Sequence, residues 1–523
     1  MERLAGGGPE TGERRIRRKR LNGMGGQQGG ARRPVRLIPV WAALAATFIA
    51  AVAIAGTTLW LGLHLLDVHG VKHEKQVTSS VLFDLVKLSF AFVAGLGGLV
   101  ALVVAYRKQR TEENAALRED TKLHADRFTA AVAQLGDASP AVQLGGVHAL
   151  AGLADDAPTR QLRQTCIDVL CAYLRLPYDP EPDRREYGQS DAEYARARAT
   201  FRAIREIRHT VIRAIGSHLR KNAAVSWQGH DLDFTDVVFD GGDFSNAIFN
   251  TTRVSFQGAR FRPGTVDFGA AHFKNGTVDF SGAEFEGGIV DFTQADFGVM
   301  KLNFRTSHFK SGTITFRGTT LRGSKVTFAD TEFEGATVDF QGSVFDCPIV
   351  DFRGAQFANG TVDFREARLM ASMTFEDAKF EGGIVDFTQA EFGREFGGEH
   401  VSFRTAHFKR GTATFRGAQF RGKVAFNDTK FDGATVDFRE AMIGYRSAEF
   451  HGAQFAGGTV DFRGTQFQTS GSIQFDNAVF GDATVDFEGA SMVGARLMFE
   501  TATGMRPRGL PRSVANHLRS TPR

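Results

Sequence analysis

The sequence predicts a multidomain chain with three parts: a two-helix transmembrane hairpin, a small all-α domain and a long β-helix. The first observation is a phenylalanine that recurs at alternating steps of five and seven residues, as from Phe256 to Phe316, in a series that contains 41 of the 48 Phe residues. Such self-similarity is typical of repeat folds. The second is a pair of apolar stretches at residues 37–66 and 81–106. The third is the helical apolar periodicity of residues 107–228.

Each repeat unit is predicted to be a very short strand with two inward side chains. Two residues before the aromatic lies either Val, as at Val266, or a small residue, as at Ala259. Side chains two apart on an extended segment share a face, so this pair points inward and the residue between them, often Asp, points outward. Glycines such as Gly276 and Gly287 follow at the corners, where a positive φ is needed. Four positions of the series replace Phe: Leu321, Leu369, Ile443 and Met492.

The first four units have the simplest spacing. Their aromatics, Phe234, Phe239, Phe244 and Phe249, are five apart in LDFTD-VVFDG-GDFSN-AIFNT. This text resembles the pentapeptide-repeat family, whose unit has a central Leu or Phe, a small residue two before it and Asp or Asn between. The resemblance implies a right-handed quadrilateral β-helix with four units per coil, which we place at residues 229–500. The five-plus-seven spacing departs from the family's 20-residue coil and predicts coils of 24 residues, roughly 11 in number.

A longer repeat indicates an internal duplication. FEGGIVDFTQADFG at 285–298 returns as FEGGIVDFTQAEFG at 380–393, and RTSHFKSGTITFRG at 305–318 returns as RTAHFKRGTATFRG at 404–417. The offsets, 380 − 285 = 95 and 404 − 305 = 99, are close to four coils. We infer a duplicated four-coil block with an inserted loop around Gly393–His400.

The N-terminal part predicts membrane attachment. Residues 1–36 contain ten Arg and Lys against three Glu and are expected to be a disordered basic tail. Residues 37–66 and 81–106 are each longer than the ~20 residues that span a bilayer, with an extracytoplasmic loop at 67–80 between them. Basic residues precede the first span and follow the second, which places both termini and the β-helix in the cytoplasm. With the family resemblance, this predicts a bacterial inner-membrane protein. Asp84 and Lys87 are expected to form an ion pair near the loop.

Residues 107–228 are predicted to form a cytoplasmic helical domain. The second span continues as a polar helix to about Leu135, and further helices are predicted at Val142–Leu153, Arg160–Leu176 and Ala192–Lys221. The text RFTAAVAQLGDASPAVQLGGVHALAGLA resembles a helical module beside the membrane spans of many bacterial pentapeptide-repeat proteins, which is similar to a HEAT-type helix pair.

The last of these helices is rich in arginine. Its basic face is either solvated or binds an anion or acidic partner. We expect its end to cover the open edge of the first coil at Trp227–Phe234. The arginines concerned are Arg202, Arg205, Arg208, Arg213 and Arg220.

The sequence offers no motif for catalysis or for a cofactor. A phosphate loop, a GxSxG elbow, HExxH and CxxC are all absent, which predicts a protein without enzymatic activity, resident metal or cofactor. The three cysteines, Cys166, Cys171 and Cys347, are interpreted as buried or idle reduced thiols. Three histidines occupy the outward position before a Phe: His272, His308 and His407. Duplication of the repeat explains their recurrence.

An acidic wall is a candidate interaction surface. Asp267 and Asp291 are 24 apart, as are Asp339 and Asp363, so each pair stacks in a 24-residue coil. Residues 229–500 carry 26 basic and 37 acidic side chains, a balance of 26 − 37 = −11. The alternative is that this wall only confers solubility, assisted by neighbouring arginines: Arg353, Arg365, Arg439 and Arg463.

The C-terminal coil is a candidate dimer end, because no capping helix is expected after it and residues 501–523 are predicted to be a disordered tail. Its apolar residues are Met492, Leu497, Met498 and Phe499.

The predicted function is a non-enzymatic membrane-tethered scaffold that presents a rigid surface to an unknown protein partner. The alternative, drawn from soluble members of the family, is a DNA mimic that modulates gyrase or another DNA-binding protein. We expect the lipid bilayer to be a partner and nucleic acid not to be one.

Overall fold

A computed structural model describes residues 40–65, 78–179, 181–182, 184–185, 187–323, 325–394, 400–444, 447–468, 472–492, 494 and 496–510. The predicted basic tail at 1–36 and most of the predicted loop at 67–80 lie outside this range. The chain divides into two compact units, Met1–Arg118 and Glu119–Arg523, which are treated separately below.

The first unit contains helix α1 (Val40–Leu65) and the start of helix α2 (Ser79–Leu135). The 57-residue α2 is unbroken, which confirms that the second apolar stretch continues as a polar helix to Leu135. Within the described residues, α2 is the helix that is long and apolar enough to cross a membrane. The rings of Phe48 and Phe92 meet edge to face, 6.5 Å apart, and the predicted Asp84–Lys87 ion pair is present at 3.3 Å.

The second unit begins with a group of packed helices, which we call the helical cap. The end of α2 packs with α3 (Pro140–Asp155), α4 (Arg160–Leu174) and α5 (Asp191–Leu219), close to the predicted helices. Helix α5 begins with a capping box between Ser190 and Glu193. The buried residues of the cap include Val147, Leu150, Cys166, Ile167, Leu170, Cys171, Val211 and Ile215.

The remainder of the second unit is a parallel β-solenoid of about 11 turns. Phe309 pairs with Phe333 and Val338 with Val362, which confirms the predicted 24-residue turn. One turn near the start has 254 − 232 = 22 residues, from Leu232 to Val254, and the turn from Phe380 to Phe408 has 408 − 380 = 28. The long turn contains Gly393–His400, where the sequence predicted an insertion.

The described strands form two sheets, each of which covers two walls of the solenoid; the labels follow chain order. The first sheet contains β1 (Leu232–Asp233), β4 (Ile248–Ser255), β7 (His272–Asp279), β9 (Asp296–Asn303), β11 (Thr320–Leu321), β12 (Lys325–Thr327), β15 (Val344–Phe345), β16 (Ile349–Asp351), β19 (Arg368–Leu369), β20 (Ser372–Thr374), β23 (Glu391–Phe392), β24 (His400–Ser402), β27 (Gln419–Phe420), β28 (Lys423–Ala425), β30 (Met442–Gly444), β31 (Ala448–Glu449), β33 (Gln466–Gln468), β34 (Ser472–Gln474) and β37 (Arg496–Met498). The second contains β2 (Val238–Phe239), β3 (Gly242–Asp243), β5 (Arg260–Phe261), β6 (Thr265–Asp267), β8 (Glu284–Asp291), β10 (His308–Thr315), β13 (Glu332–Phe333), β14 (Thr337–Asp339), β17 (Gln356–Phe357), β18 (Thr361–Asp363), β21 (Lys379–Phe380), β22 (Ile384–Asp386), β25 (His407–Phe408), β26 (Thr412–Thr414), β29 (Lys430–Asp437), β32 (Gln454–Asp461), β35 (Val479–Phe480), β36 (Thr484–Asp486) and β38 (Thr503–Gly504).

Four columns of inward side chains fill the solenoid. We number them by their first residues: column 1 from Phe234, column 2 from Phe239, column 3 from Phe244 and column 4 from Phe249. Rings on successive turns stack nearly parallel, for example at 4.6 Å between Phe256 and Phe280. The four replaced positions all fall in column 4, where Leu321, Leu369, Ile443 and Met492 are interspersed among Phe residues. The interior is therefore a packed aromatic stack with one partly aliphatic side.

The corners between columns 1 and 2, and between columns 3 and 4, depend on a left-handed residue two positions after Phe. In the other two corners, which are seven residues long, the glycines that the sequence predicted at positive φ are present: Gly276 and Gly287 have φ values of 88° and 150°. Many of the five-residue corners, however, place a residue other than glycine there, such as Ala270 with φ 52° and Thr306 with φ 56°. Neighbouring turns hold these corners in place, since their backbone groups pair from turn to turn, as Ala270 N with Thr293 O at 2.9 Å.

The solenoid extends past the predicted boundary at residue 500. Strand β38 pairs with β35, Arg508 forms a bridge with Asp486, and Leu510 is buried. The prediction that the disordered tail begins at 501 is therefore wrong for residues 501–510, because their backbone groups continue the ladder. Residues 511–523 lie outside the described chain.

Candidate interaction surfaces

The predicted acidic wall is a continuous line of outward residues, each immediately before a column 3 Phe. We call it the acidic column. Its register pairs Asp267 with Asp291 and Asp339 with Asp363, as the spacing predicted. In register order the column contains Asp243, Asp267, Asp291, Thr315, Asp339, Asp363, Asp386, Thr414, Asp437, Asp461 and Asp486.

Each of these carboxylates accepts a hydrogen bond from the backbone of its own turn. Asp267 Oδ1 accepts a hydrogen bond from the Gly269 N–H at 2.7 Å, and Asp339 Oδ1 accepts one from the Gln341 N–H at 2.8 Å. The same contact recurs for Asp291 and Asp363 at 2.7 and 2.9 Å. This is the local Asp-to-backbone bond that favours a turn. Repeat chemistry therefore accounts for Asp at this position.

Arginines neutralise much of the acidic column in its C-terminal half. Arg439 contacts Asp437 at 2.6 Å and the Asp461 carboxylate of the next turn at 3.6 Å. Burial alone would raise the pKa of Asp461, but hydrogen bonds from Arg463 and the charges of Arg463 and Arg439 lower it. Here the column is a ladder of ion pairs, which resembles the phosphate backbone of DNA poorly. This arrangement favours the solubility reading over a bare acidic face.

A second charged surface flanks column 2, and the sequence reasoning missed it. We call it the charge ladder. Successive turns alternate in sign: Arg262 contacts Glu286 at 3.8 Å, and Lys310 contacts Glu284 at 2.8 Å. The hydrogen bond to Glu284 raises the pKa of Lys310. His308 faces two glutamates of the following turn, Glu332 and Glu334. The signal was present, since Arg260, Glu284, His308 and Glu332 recur every 24 residues.

An open groove beside column 1 is a further candidate docking surface. Its volume is about 590 Å³. Arg305 pairs with Asp330 at 3.1 Å across it, and Asp351 accepts from both Lys325 and Arg353 at 3.2 and 2.8 Å. Burial alone would raise the pKa of Asp351, and the hydrogen bonds from Arg353 and Lys325 lower it. The groove is therefore polar and of mixed charge.

The basic face of α5 binds an acidic partner within the same chain. Asp240, on the first turn of the solenoid, accepts from Arg205 Nε at 3.0 Å and from the Tyr178 hydroxyl at 2.7 Å, and contacts His209 Nε2 at 2.9 Å. The Arg208 guanidinium lies 4.3 Å from the centre of the Tyr178 ring and donates to the Val238 carbonyl. Arg205 and Arg208 are therefore engaged within the chain rather than fully solvated.

The cap covers the open edge of the first turn, as expected, and α4 contributes as well as α5. Gly216 lies so close to this edge that a Cβ there would be 2.3 Å from the Asp243 carbonyl oxygen. Trp227 is fully buried and donates from Nε1 to Asp155 at 2.8 Å. Gln164 of α4 donates to the Asp231 carbonyl at 2.8 Å.

The cysteines are buried, as predicted. Burial raises the pKa of the Cys166 thiol to about 11, and of the Cys171 and Cys347 thiols to about 12. A thiol with such a pKa is protonated at neutral pH and is a poor nucleophile.

The candidate dimer end is partly covered by the chain itself. Phe499 is buried and stacks on Phe475 at 4.6 Å, whereas Met492, Leu497 and Met498 are half-buried. Residues 501–510 supply the cover, with Ala502 fully buried.

Comparison with known proteins found no matching family model, no matching curated protein and no matching solved structure. The pentapeptide-repeat resemblance therefore rests on the residues quoted above and on the geometry of the turns.

Proposed function

We propose that this protein is a non-enzymatic scaffold, tethered to the bacterial inner membrane, that presents a rigid pentapeptide-type β-helix to a protein partner in the cytoplasm. The observation that carries the proposal is the filled aromatic interior, with outward charges held in register from turn to turn. A surface ordered before binding loses little conformational entropy when a partner docks.

The chemistry of the carboxylates supports a scaffold over an enzyme. Asp339 and Asp363 cap their own turns and pair with arginines, so their lone pairs are already engaged. Asp240 is likewise committed to the cap. A general base needs a carboxylate free to take a proton from a substrate.

Membrane attachment is supported by the apolar side chains of the first unit. Phe90 and Leu102 are 72% exposed and Trp60 is 64% exposed. Exposed apolar surface of this extent is costly in water and marks a membrane or protein contact. We assign α1 and the first part of α2 as two spans, which return both termini to the cytoplasmic side.

We further propose that the C-terminal coil pairs with a second copy of the chain. The half-buried Leu497 supports this, as residues 501–510 leave it partly exposed. Light scattering of the full-length protein in detergent micelles should show a dimer that Leu497→Glu converts to a monomer. Val299→Glu is the control, because Val299 is exposed on an early turn of the solenoid, far from the C-terminal coil, and its change should leave the dimer intact. A monomeric native protein at tens of micromolar would contradict this assignment.

The scaffold is tested by proximity labelling in living cells, with the label fused to the C terminus. The background control is the same label on an unrelated two-span membrane anchor. Enrichment of cytoplasmic membrane-associated proteins over this background is the expected result. Gyrase subunits as the dominant product would favour the DNA-mimic alternative. Labelling restricted to extracytoplasmic proteins would overturn the topology.

A further inference from the structure

Three metal-ligating side chains converge on the charge ladder. His308 Nδ1 lies 3.3 Å from Glu332 Oε2 and 3.2 Å from Glu334 Oε1. All three ligand atoms lie within 4.8 Å of one another. The side chains are 36%, 39% and 41% exposed, so the cluster is open to solvent on one side.

The solenoid holds this geometry in place. Strands β10 and β13 pair in parallel register, with His308 opposite Glu332 and Phe309 opposite Phe333. Glu332, on β13, and Glu334, directly after it, flank the inward Phe333, so both carboxylates point outward. The two buried rings stack at 5.0 Å and fix the strands beneath the cluster.

The local charge favours a cation. The Lys310 ammonium points toward the preceding turn, away from Glu332 and Glu334, and contacts Glu284 at 2.8 Å and Glu286 at 3.5 Å. In the described part of the chain, the ion pairs of Glu332 and Glu334 are both with His308. With a neutral imidazole the two carboxylates leave a local charge of about −2.

We propose that His308, Glu332 and Glu334 bind a divalent transition-metal ion such as Zn²⁺. Ligands at about 2.0–2.2 Å from one ion lie about 2.8–3.6 Å apart in octahedral or tetrahedral geometry. The two separations between His308 and the carboxylates, 3.3 and 3.2 Å, lie in this range. Imidazole with carboxylate suits Zn²⁺ and similar ions rather than Mg²⁺. The remaining coordination positions face solvent. The site does not depend on the proposed scaffold function.

The duplicated block supplies a matched control. His407 corresponds to His308, but its register partner is Lys430 where the first block has Glu332. Asp432 takes the place of Glu334 and lies 3.4 Å from His407 Nε2. A lysine ammonium in the position of a ligand opposes a metal ion, so we expect the His407 copy not to bind.

The test is calorimetric titration of the metal-stripped full-length protein, in detergent micelles, with ZnCl₂. One site should dominate, and His308→Ala and Glu332→Gln should each weaken it by about tenfold or more, since even outer-shell changes cost about 10–100-fold. His407→Ala should leave it unchanged. Affinity should also fall as the pH is lowered, because the ligands must be deprotonated.

Several results would overturn the site. One is tight Zn²⁺ binding that survives in His308→Ala and in the double variant Glu332→Gln, Glu334→Gln. Another is equal loss in His407→Ala, which would mark general binding to surface histidines. A native protein that binds only at millimolar Zn²⁺ would likewise exclude the site. Far-UV circular dichroism checks that each variant is folded. If His308→Ala does not fold, the isosteric Gln variants are used for the test.

Discussion

Asp240 joins the helical cap to the solenoid through a single carboxylate. Burial alone would raise its pKa, but hydrogen bonds from His209 and Tyr178 and the charges of His209 and Arg205 lower it below the ordinary 3.8. A depressed pKa means that the charged form stabilises the fold. This contribution is complete above pH 3.8 and is lost as the pH falls through the folded-state pKa.

Asp240→Asn should loosen the cap locally. Removing the charge from these hydrogen bonds costs about 2 kcal/mol. Hydrogen exchange of α5 amides in the full-length protein should then accelerate roughly thirtyfold at neutral pH. Asp191→Asn is the control, because Asp191 is 92% exposed on the first turn of α5 and its ion pair contributes little. Unchanged exchange in Asp240→Asn would show that the carboxylate does not hold the cap.

Ala270 illustrates strain at a corner. Its φ of 52° lies in the left-handed region, which an L-residue with a Cβ occupies at a cost of about 1–2 kcal/mol. Ala270→Gly should stabilise the protein by up to about 1 kcal/mol, because the relief of strain exceeds the added freedom of the unfolded chain. Chemical denaturation measures the change. Ala271→Gly, at the buried neighbouring position, should instead destabilise the protein. If both variants change the free energy of unfolding in the same direction, the left-handed φ of Ala270 is not a source of strain.

At the scale of the element, the columns differ in their dependence on aromatic stacking. Phe340 stacks on Phe316 at 4.7 Å and on Phe364 at 4.8 Å. Phe345, in the same turn but in column 4, has Leu321 and Leu369 as its register partners. The two positions are equally buried, so they separate stacking from burial.

Phe340→Leu should therefore destabilise the solenoid more than Phe345→Leu. Each lost stacked pair costs about 0.5–1.5 kcal/mol beyond burial, which predicts a difference of about 1–3 kcal/mol. The comparison is made by urea unfolding of full-length variants followed by circular dichroism. Equal losses would mean that the rings act only as apolar volume.

Part of the solenoid could be predicted from the sequence. The turn length, the inward Phe and Val, and the insertion near Gly393 all follow from spacing, since side-chain direction alternates along a strand. The left-handed Ala270 and Thr306 were missed, because nothing local favours a Cβ at positive φ. Pairing with neighbouring turns imposes it, and that pairing is a property of the stack.

At the scale of the whole molecule, the solenoid is a sum of turns. Thr435 and Thr459 are register partners, so residues 435–458 make up one turn. Deletion of this turn should leave a folded protein that lacks roughly one turn in eleven of its β signal, because each turn contacts only its neighbours. Deletion of 435–452, which breaks the register, should abolish cooperative unfolding. If both deletions behave alike in circular dichroism melts, the stack is not additive.

The sequence by itself determined the periodic quantities: the 24-residue turn, the buried Phe series, the long helix α2 with its apolar first part, and the acidic column. These depend on strand and helix periods, which act between near neighbours in the chain. Only the tertiary structure decided that α5 turns Arg205 toward Asp240, that residues 501–510 continue the solenoid, and that the side chains of Glu332 and Glu334 both turn toward His308. The reason is physical, since these contacts depend on how separate elements pack and on which way each side chain turns, and no local period specifies either.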